Sequence, residues 1–204
     1  MTYDTTIFWK WFEDNNERLT MLSEYDEKAQ EQLLDEMQKQ LEKYCPALSF
    51  EMSEPTNDGR RVVFTAEGDI DYFEPLLKLT DEAPDLDWWE FVPFKQPNNK
   101  VVKMQFDKFH FDTKKMYFAQ IENEEEPEIL ALLVAFDGAD NDNEDMLVAT
   151  YSLLEAIVGE FDCATLLGYF EICHIPNNPR DEGFKPLSQL PDFVEWFKQQ
   201  RDKQ

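Results

Sequence analysis

The sequence predicts an α+β protein: a mixed or antiparallel β-sheet with helices packed on it. Three observations carry this. Residues 24–44 place Leu33, Leu34, Met37, Leu41 and Tyr44 on one helical stripe. Residues 48–52 alternate, with Leu48, Phe50 and Met52 sharing one face, as in a half-buried strand. The apolar run 129–136 precedes a second broad helical stripe over 144–160, the order of a buried strand and the helix that covers it.

Taken in order, residues 5–22 predict a helix, with Phe8, Phe12, Leu19 and Leu22 at helical spacing and Asp4 or Thr5 at its start. Ser23 opens the second helix, with Asp26 three residues on as an approximate capping box. Glu24 with Lys28 and Asp35 with Lys39 are i,i+4 pairs in the favourable orientation. Pro46 ends that helix. Strand 48–52 and strand 61–66 flank a loop at 53–60 containing Pro55, Asn57, Asp58 and Gly59, which reads as a hairpin. Gly68 breaks the second strand, a helix covers 71–79 with Pro75 tolerated in its first turn, and 88–94 is a third strand.

The segment Gln96-Pro97-Asn98-Asn99 is the best internal boundary. Beyond it, 101–106 and 115–121 read as strands, with 109–111 as an extension or short connection. An acidic loop covers 122–128, a doubly buried strand 129–136, a turn 137–143 and a helix 144–160. The last strand is expected at 166–175, a polar loop at 176–186 and a terminal helix at 191–200. The chain thus reads as a single globular domain, 1–204, with halves at 1–97 and 98–204. Each half contains a hairpin, a helix and a strand, the order of a ferredoxin-like split βαβ unit, without residue-level repetition between them. A single continuous mixed sheet covered on one face fits the same order.

Composition limits the function. The 204 residues include 44 acidic and 19 basic side chains, a formal net charge of −25. Such a field repels phosphate backbones and anionic membranes, so neither nucleic acid nor membrane is expected as a partner. It is compatible with steering toward a basic protein partner, although acidity also serves solubility alone. No oligomeric state is implied. The first twelve residues lack a basic segment and a long apolar run, and no stretch approaches a membrane span. Cys45, Cys163 and Cys173 form no CxxC pair, which points to reduced thiols in a cytoplasm.

Signatures of catalysis are missing: no Walker A loop, dinucleotide glycine fingerprint, HExxH or GxSxG occurs. His110 and His174 are the only histidines, and Cys173 and His174, being adjacent in a strand, point to opposite faces. A pair such as Cys163 with His110 is the nucleophile that the residue types leave open, against the commoner role of cysteine as a buried hydrophobe. The densest oxygen cluster is Asp137 to Asp145. Its alternating Asp140, Asp142 and Glu144 resemble the start of a calcium loop but lack the turn glycine and the twelfth-position glutamate. Helix capping by Asp142 or Asn143 accounts for the same residues. No cofactor is expected.

The tryptophans are over-supplied for one core face. Trp9 and Trp11 lie in Phe8-Trp9-Lys10-Trp11-Phe12, and Trp88-Trp89 opens a strand in which successive side chains diverge. These four form the candidate interaction surface, since exposed tryptophans concentrate at binding hot spots. The competing expectation is packing of the rings onto a sheet edge, against Trp196 and Phe197.

The opening Phe8-Trp9-Lys10-Trp11-Phe12, Phe64-Thr65-Ala66-Glu67-Gly68, Ala83-Pro84 before Trp88-Trp89, Gly159-Glu160-Phe161-Asp162 with Gly168, and Pro186-Leu187-Ser188-Gln189-Leu190-Pro191 resemble a family of uncharacterised bacterial proteins common in Bacteroidetes-type genomes. The resemblance implies one globular unit in a bacterial cytoplasm and transfers no catalytic residue. Two functional expectations follow. The first is a non-catalytic protein-binding or accessory module, immunity- or inhibitor-like. The second is a carboxylate- or metal-dependent hydrolase using the Asp137–Asp145 segment.

Overall fold

A computed structural model describes residues 3–98, 100, 103–122 and 126–201. The chain forms two compact units, Met1–Phe94 and Lys95–Gln204, dividing just before the expected boundary segment. The α+β class is realised in both.

In the first unit the helix expected over 5–22 is broken. Helix α1 (Thr6–Asp14) stops at Asn15, and α2 (Asn16–Thr20) follows, with a 3₁₀ turn at Leu22–Glu24. Asn15 causes the break. Its side-chain amide donates to the Trp11 carbonyl at 2.8 Å, and its backbone leaves helical geometry at φ −111°, ψ 6°. Helix α3 (Glu27–Tyr44) is capped by Asp26, whose carboxylate accepts from the Ala29 amide at 2.9 Å. Ser23, expected to open this helix, belongs to the preceding 3₁₀ turn instead. The buried face of α3 is Leu33, Met37, Leu41 and Tyr44, and Cys45 closes it before Pro46.

Strand β1 (Ser49–Met52) pairs antiparallel with β2 (Arg60–Thr65), Phe50 opposite Phe64. Helix α4 (Phe73–Asp81) then leads to β3 (Trp89–Pro93), which lies parallel to β2 with Val62 opposite Phe91. One face of this sheet holds an aromatic core. Phe8, Trp9 and Phe12 of α1 meet Phe64, Trp89 and Phe91 edge to face, with Trp9–Phe91 centroids 4.7 Å apart and Phe12–Trp89 5.0 Å apart. Edge contacts of this kind add about 0.5–1.5 kcal/mol each beyond area burial.

The second unit opens with an antiparallel ribbon of β4 (Lys103–Phe106) and β5 (Phe109–Asp112). Segment 109–111, expected as an extension or short connection, is therefore a paired strand. Its turn depends on Asp107 at φ 50°, a conformation that aspartate tolerates. Strand β6 (Tyr117–Ile121) pairs antiparallel with β7 (Leu130–Ala135), and β8 (Leu167–Cys173) runs parallel to β7. A two-residue strand β9 (Lys185–Pro186) joins the far edge of β6, giving the order β8-β7-β6-β9.

Helix α5 (Glu144–Val158) ends at Gly159, close to the expected 144–160, and a separate α6 (Glu160–Leu166) precedes β8 where no element was expected. Gly159 adopts φ 88°, ψ 154°, a region that only glycine occupies freely. Helix α7 (Leu190–Arg201) completes the unit. Its Phe193, Val194 and Phe197 share a core with Leu132, Val134, Leu153 and Ile157.

Both units contain the same topology: an antiparallel hairpin whose second strand continues through helix to a parallel neighbour, β1-β2-α4-β3 and β6-β7-α5-α6-β8. In each, the two parallel strands are directly hydrogen-bonded, so nothing is inserted between them. The βαβ is therefore unsplit, unlike the expected ferredoxin-like arrangement, and among the described residues three separate sheets replace the alternative of one continuous sheet. Among the described residues no helix is long and apolar enough to cross a membrane.

Candidate functional site

The most developed site lies at one end of the first unit's sheet, where β2 and β3 begin side by side. Alternation along β2 puts Arg60, Val62 and Phe64 on the core face and Arg61 on the other. The two arginines consequently have different fates. Arg61 stays exposed and makes a bidentate pair with its cross-strand neighbour Glu90, Nε–Oε2 2.7 Å and Nη2–Oε1 3.1 Å. Arg60 is carried inward until only 7% of it is accessible. Its Nε donates to the Ser53 carbonyl at 2.8 Å and its Nη2 to the Ser23 hydroxyl at 3.2 Å. Its Nη1 is buried without a partner, and no carboxylate lies within ion-pair distance among the described residues. Burial pulls the guanidinium below its ordinary pKa, with the nearby Glu54 charge opposing. Arginine remains a cation at neutral pH nonetheless.

The loop joining β1 and β2 packs onto the start of β3. Gly59 sits at φ +128°, and a Cβ there would collide with the Trp88 carbonyl oxygen. The Arg60 amide donates to that same carbonyl at 2.9 Å. Thr56 ties the loop down, its amide and hydroxyl both donating to the Gly59 carbonyl at 2.8 and 3.0 Å. Between loop and strand lies a cavity of about 410 Å³ lined by Ser53, Glu54, Thr56, Asp58, Arg60, Arg61, Asp87, Trp88, Trp89 and Glu90. Of its four acidic residues Glu90 is engaged by Arg61, while Glu54, Asp58 and Asp87 carry no ion pair among the described residues. Trp88 contributes a second buried donor without a partner, its indole Nε1–H.

The four tryptophans expected to form a surface divide. Trp9 and Trp89 are core residues, 5% and 8% exposed. Both satisfy their indoles internally: Trp9 donates to the Leu79 carbonyl at 2.9 Å and Trp89 to the Asn16 side-chain oxygen at 2.6 Å. Neither presents a surface, because one aromatic core absorbs them with Phe8, Phe12 and Phe91. Trp11 is half-buried on α1, and Trp88 is half-buried in the cavity wall. Trp196 of α7 is half-exposed, its ring 5.3 Å from Phe193.

The remaining chemical candidates do not assemble. Asn143 caps α5 by accepting from the Met146 amide at 3.1 Å, and Asp140 accepts from the Asp142 amide at 3.1 Å. Asn141 accepts from the Ile172 amide at 3.0 Å, and Asp145 pairs with Lys108 at 2.8 Å. Four side chains of the 137–145 segment, Asp140, Asn141, Asn143 and Asp145, thus serve a turn, a strand contact, a cap and an exposed ion pair. Among the described residues no three His, Cys, Asp or Glu converge as metal ligands. His110 is exposed on β5, whereas Cys163 is buried in α6 beside Tyr151. Burial pushes the Cys163 thiol up to about 12, the opposite of an activated nucleophile.

Arg60 is the residue that sequence reasoning missed. Its signal is strand parity with Val62 and Phe64, which appears only once β2 is seen to begin at Arg60 and not at the expected 61. No family model, curated protein or solved structure matches the chain.

Proposed function

We propose that the protein is a non-catalytic accessory module that binds a basic protein partner, in the manner of an immunity or inhibitor protein, in a bacterial cytoplasm. The cavity between the 53–59 loop and the start of β3 carries this reading. Glu54, Asp58 and Asp87 line it without an ion pair among the described residues, Arg60 being the one cation near Glu54, and the surface arginine beside them is already neutralised by Glu90. Unpaired carboxylates gathered around a concavity attract cationic side chains and raise the association rate of a positively charged partner. The overall charge of −25 extends that attraction beyond the site. Free, buried Cys45 and Cys163 suit a reducing compartment.

The test is titration with a synthetic arginine-rich peptide at about 50 mM and about 500 mM salt, where screening separates charge-driven binding from the rest. A variant carrying Glu54→Gln, Asp58→Asn and Asp87→Asn is compared with one carrying Glu31→Gln, Asp35→Asn and Glu51→Gln, three exposed carboxylates elsewhere in the unit. The cavity variant is expected to lose at least about ten-fold in affinity, near 1.4 kcal/mol, and the control markedly less. Equal losses in the two variants, or salt-insensitive binding, would reject the reading.

A further inference from the structure

We infer that Asn141 guards the open edge of β8: its side chain fills the place of an added strand, and what it keeps out is a second copy of this chain. The contact that carries this is the Ile172 amide donating to the Asn141 side-chain oxygen at 3.0 Å.

Strand β8 is the outer strand of its sheet, in the order β8-β7-β6-β9. Its phase is fixed at its end, where the Cys173 carbonyl accepts from the Phe136 amide on the β7 side. Successive residues of a strand turn their N–H and C=O groups to opposite edges, so Phe170 and Ile172 turn theirs outward. Asn141 takes the outward N–H of Ile172, whereas the outward groups of Phe170 bond to nothing among the described residues. An outer strand with such groups free is a template for pairing. The other end of β8 is blunted too. Leu130 stands opposite Leu167 and Ala131 opposite Tyr169, which leaves Gly168 as an extra, bulged residue. Loop 137–143 holds Asn141 in place from both sides. Ala139 is buried, the Asn143 amide donates to the Asp140 carbonyl at 3.1 Å, and the Asn143 side chain caps α5.

The sequence of β8 matches itself. About a twofold axis at Phe170, two antiparallel copies exchange N–H and C=O groups at Phe170, and Tyr169 of each stands opposite Glu171 of the other. Those two side chains already bond within the strand, the Tyr169 hydroxyl donating to the Glu171 carboxylate. The next hydrogen-bonded pair is Ile172 with Gly168 of the other copy, and it needs the N–H that Asn141 occupies. Charge selects the same target. Asp140 and Asp142 flank Asn141 and are exposed. They repel a second chain of net charge −25, whereas a basic segment is drawn toward them. The guard therefore acts against self-pairing, and the acidic turn gains a role that needs no metal.

Amide hydrogen exchange and sedimentation velocity on the whole protein test the inference. In the parent, the Ile172 amide is expected to exchange slowly and the Phe170 amide fast, with a single monomeric species at every concentration. That contrast between two outward amides needs no variant. Asn141→Ala is expected to speed exchange at Ile172 at least about ten-fold. It should also form a dimer that grows with protein concentration and with salt, which screens the like charges. In that dimer the Phe170 amide should slow. Asn141→Asp, which keeps the acceptor oxygen, is expected to stay slow at Ile172 and monomeric. Equal exchange at Ile172 in the parent and the alanine variant would overturn the cap and the guard with it. An alanine variant that opens Ile172 yet stays monomeric at high salt, or a dimer that leaves Phe170 fast, would overturn the guard. A parent already dimeric with Phe170 protected would overturn it as well.

Discussion

Lys95 and Glu160 exchange backbone contacts across 65 positions of sequence: the Lys95 amide donates to the Glu160 carboxylate at 3.0 Å, and the Glu160 amide donates to the Lys95 carbonyl at 2.9 Å. Glu160 is fully buried at the start of α6, where a helix N-terminus favours negative charge. Chain entry into the second unit is thereby tied to the junction of α5 and α6. Glu160→Ala removes the acceptor of the Lys95 amide and should cost about 1–3 kcal/mol in urea unfolding. Glu160→Gln, which keeps an acceptor oxygen, should cost less. A loss below about 0.5 kcal/mol for the alanine variant would contradict this account of the contact.

Gly159 is the second half of that junction. A Cβ there would approach Pro97 Cδ to 2.9 Å and the Lys95 carbonyl oxygen to 3.2 Å, in backbone geometry that side chains avoid. Gly159→Ala is expected to lower stability by about 1–3 kcal/mol. Gly138, at φ +79° and with open space where a Cβ would stand, separates the two causes. Its alanine variant should show the conformational part alone and lose less. Equal losses at both positions would remove the steric contribution.

Helix caps give a third measurement. Asp26→Ala and Asn143→Ala each remove a side-chain acceptor from a helix N-terminus and should cost about 1 kcal/mol. Asp142→Asn, whose side chain makes no contact that shapes the turn, should stay within about 0.5 kcal/mol. The melting temperatures of Asp142→Asn and of the parent should respond identically to calcium. A calcium-dependent rise in the parent alone would restore a metal role to this segment.

Thiol chemistry follows burial. Cys45 and Cys163 are fully buried and Cys173 is partly accessible, so a thiol reagent should modify Cys173 first in the native protein, and Cys173→Ser should abolish the fast phase. The Cys163 thiol is raised from 9.0 to about 12 by burial, so the folded state holds its proton while the unfolded state releases it. Its contribution to stability is complete below pH 9 and declines as pH rises from there toward 12. Cys163→Ala should flatten that alkaline decline. An unchanged slope would assign the decline to Tyr44 and Tyr151, whose hydroxyls are also raised by burial.

Much of the fold was readable because its periodicities are strong. The stripe Leu33, Met37, Leu41 and Tyr44 and the run around Leu130–Ala135 announced α3 and β7 without ambiguity. The misreadings sit where one residue overrides a pattern. Asn15 stops α1 by hydrogen-bonding its own helix, and Gly159 separates α5 from α6 although apolar spacing continues on both sides. Strand β9 is too short for any periodicity. At the candidate site the aromatic excess drew attention to Trp88, but Trp9 and Trp89 found internal acceptors in Leu79 and Asn16 that no local pattern encodes. Arg60 escaped notice because the expected strand begins at 61 and leaves it in the loop 53–60, whereas β2 begins at Arg60 itself.

The two units share a topology but differ in one kind of ring: the buried tryptophans, Trp9 and Trp89, both lie in the first. Of the five tryptophans, Trp9, Trp11, Trp88 and Trp89 belong to the first unit and Trp196 alone to the second. Intrinsic emission is therefore a nearly one-sided reporter. In Trp196→Phe, every photon collected at indole wavelengths comes from residues 1–94, so the melting of one ββαβ unit can be followed in the intact chain while circular dichroism records both.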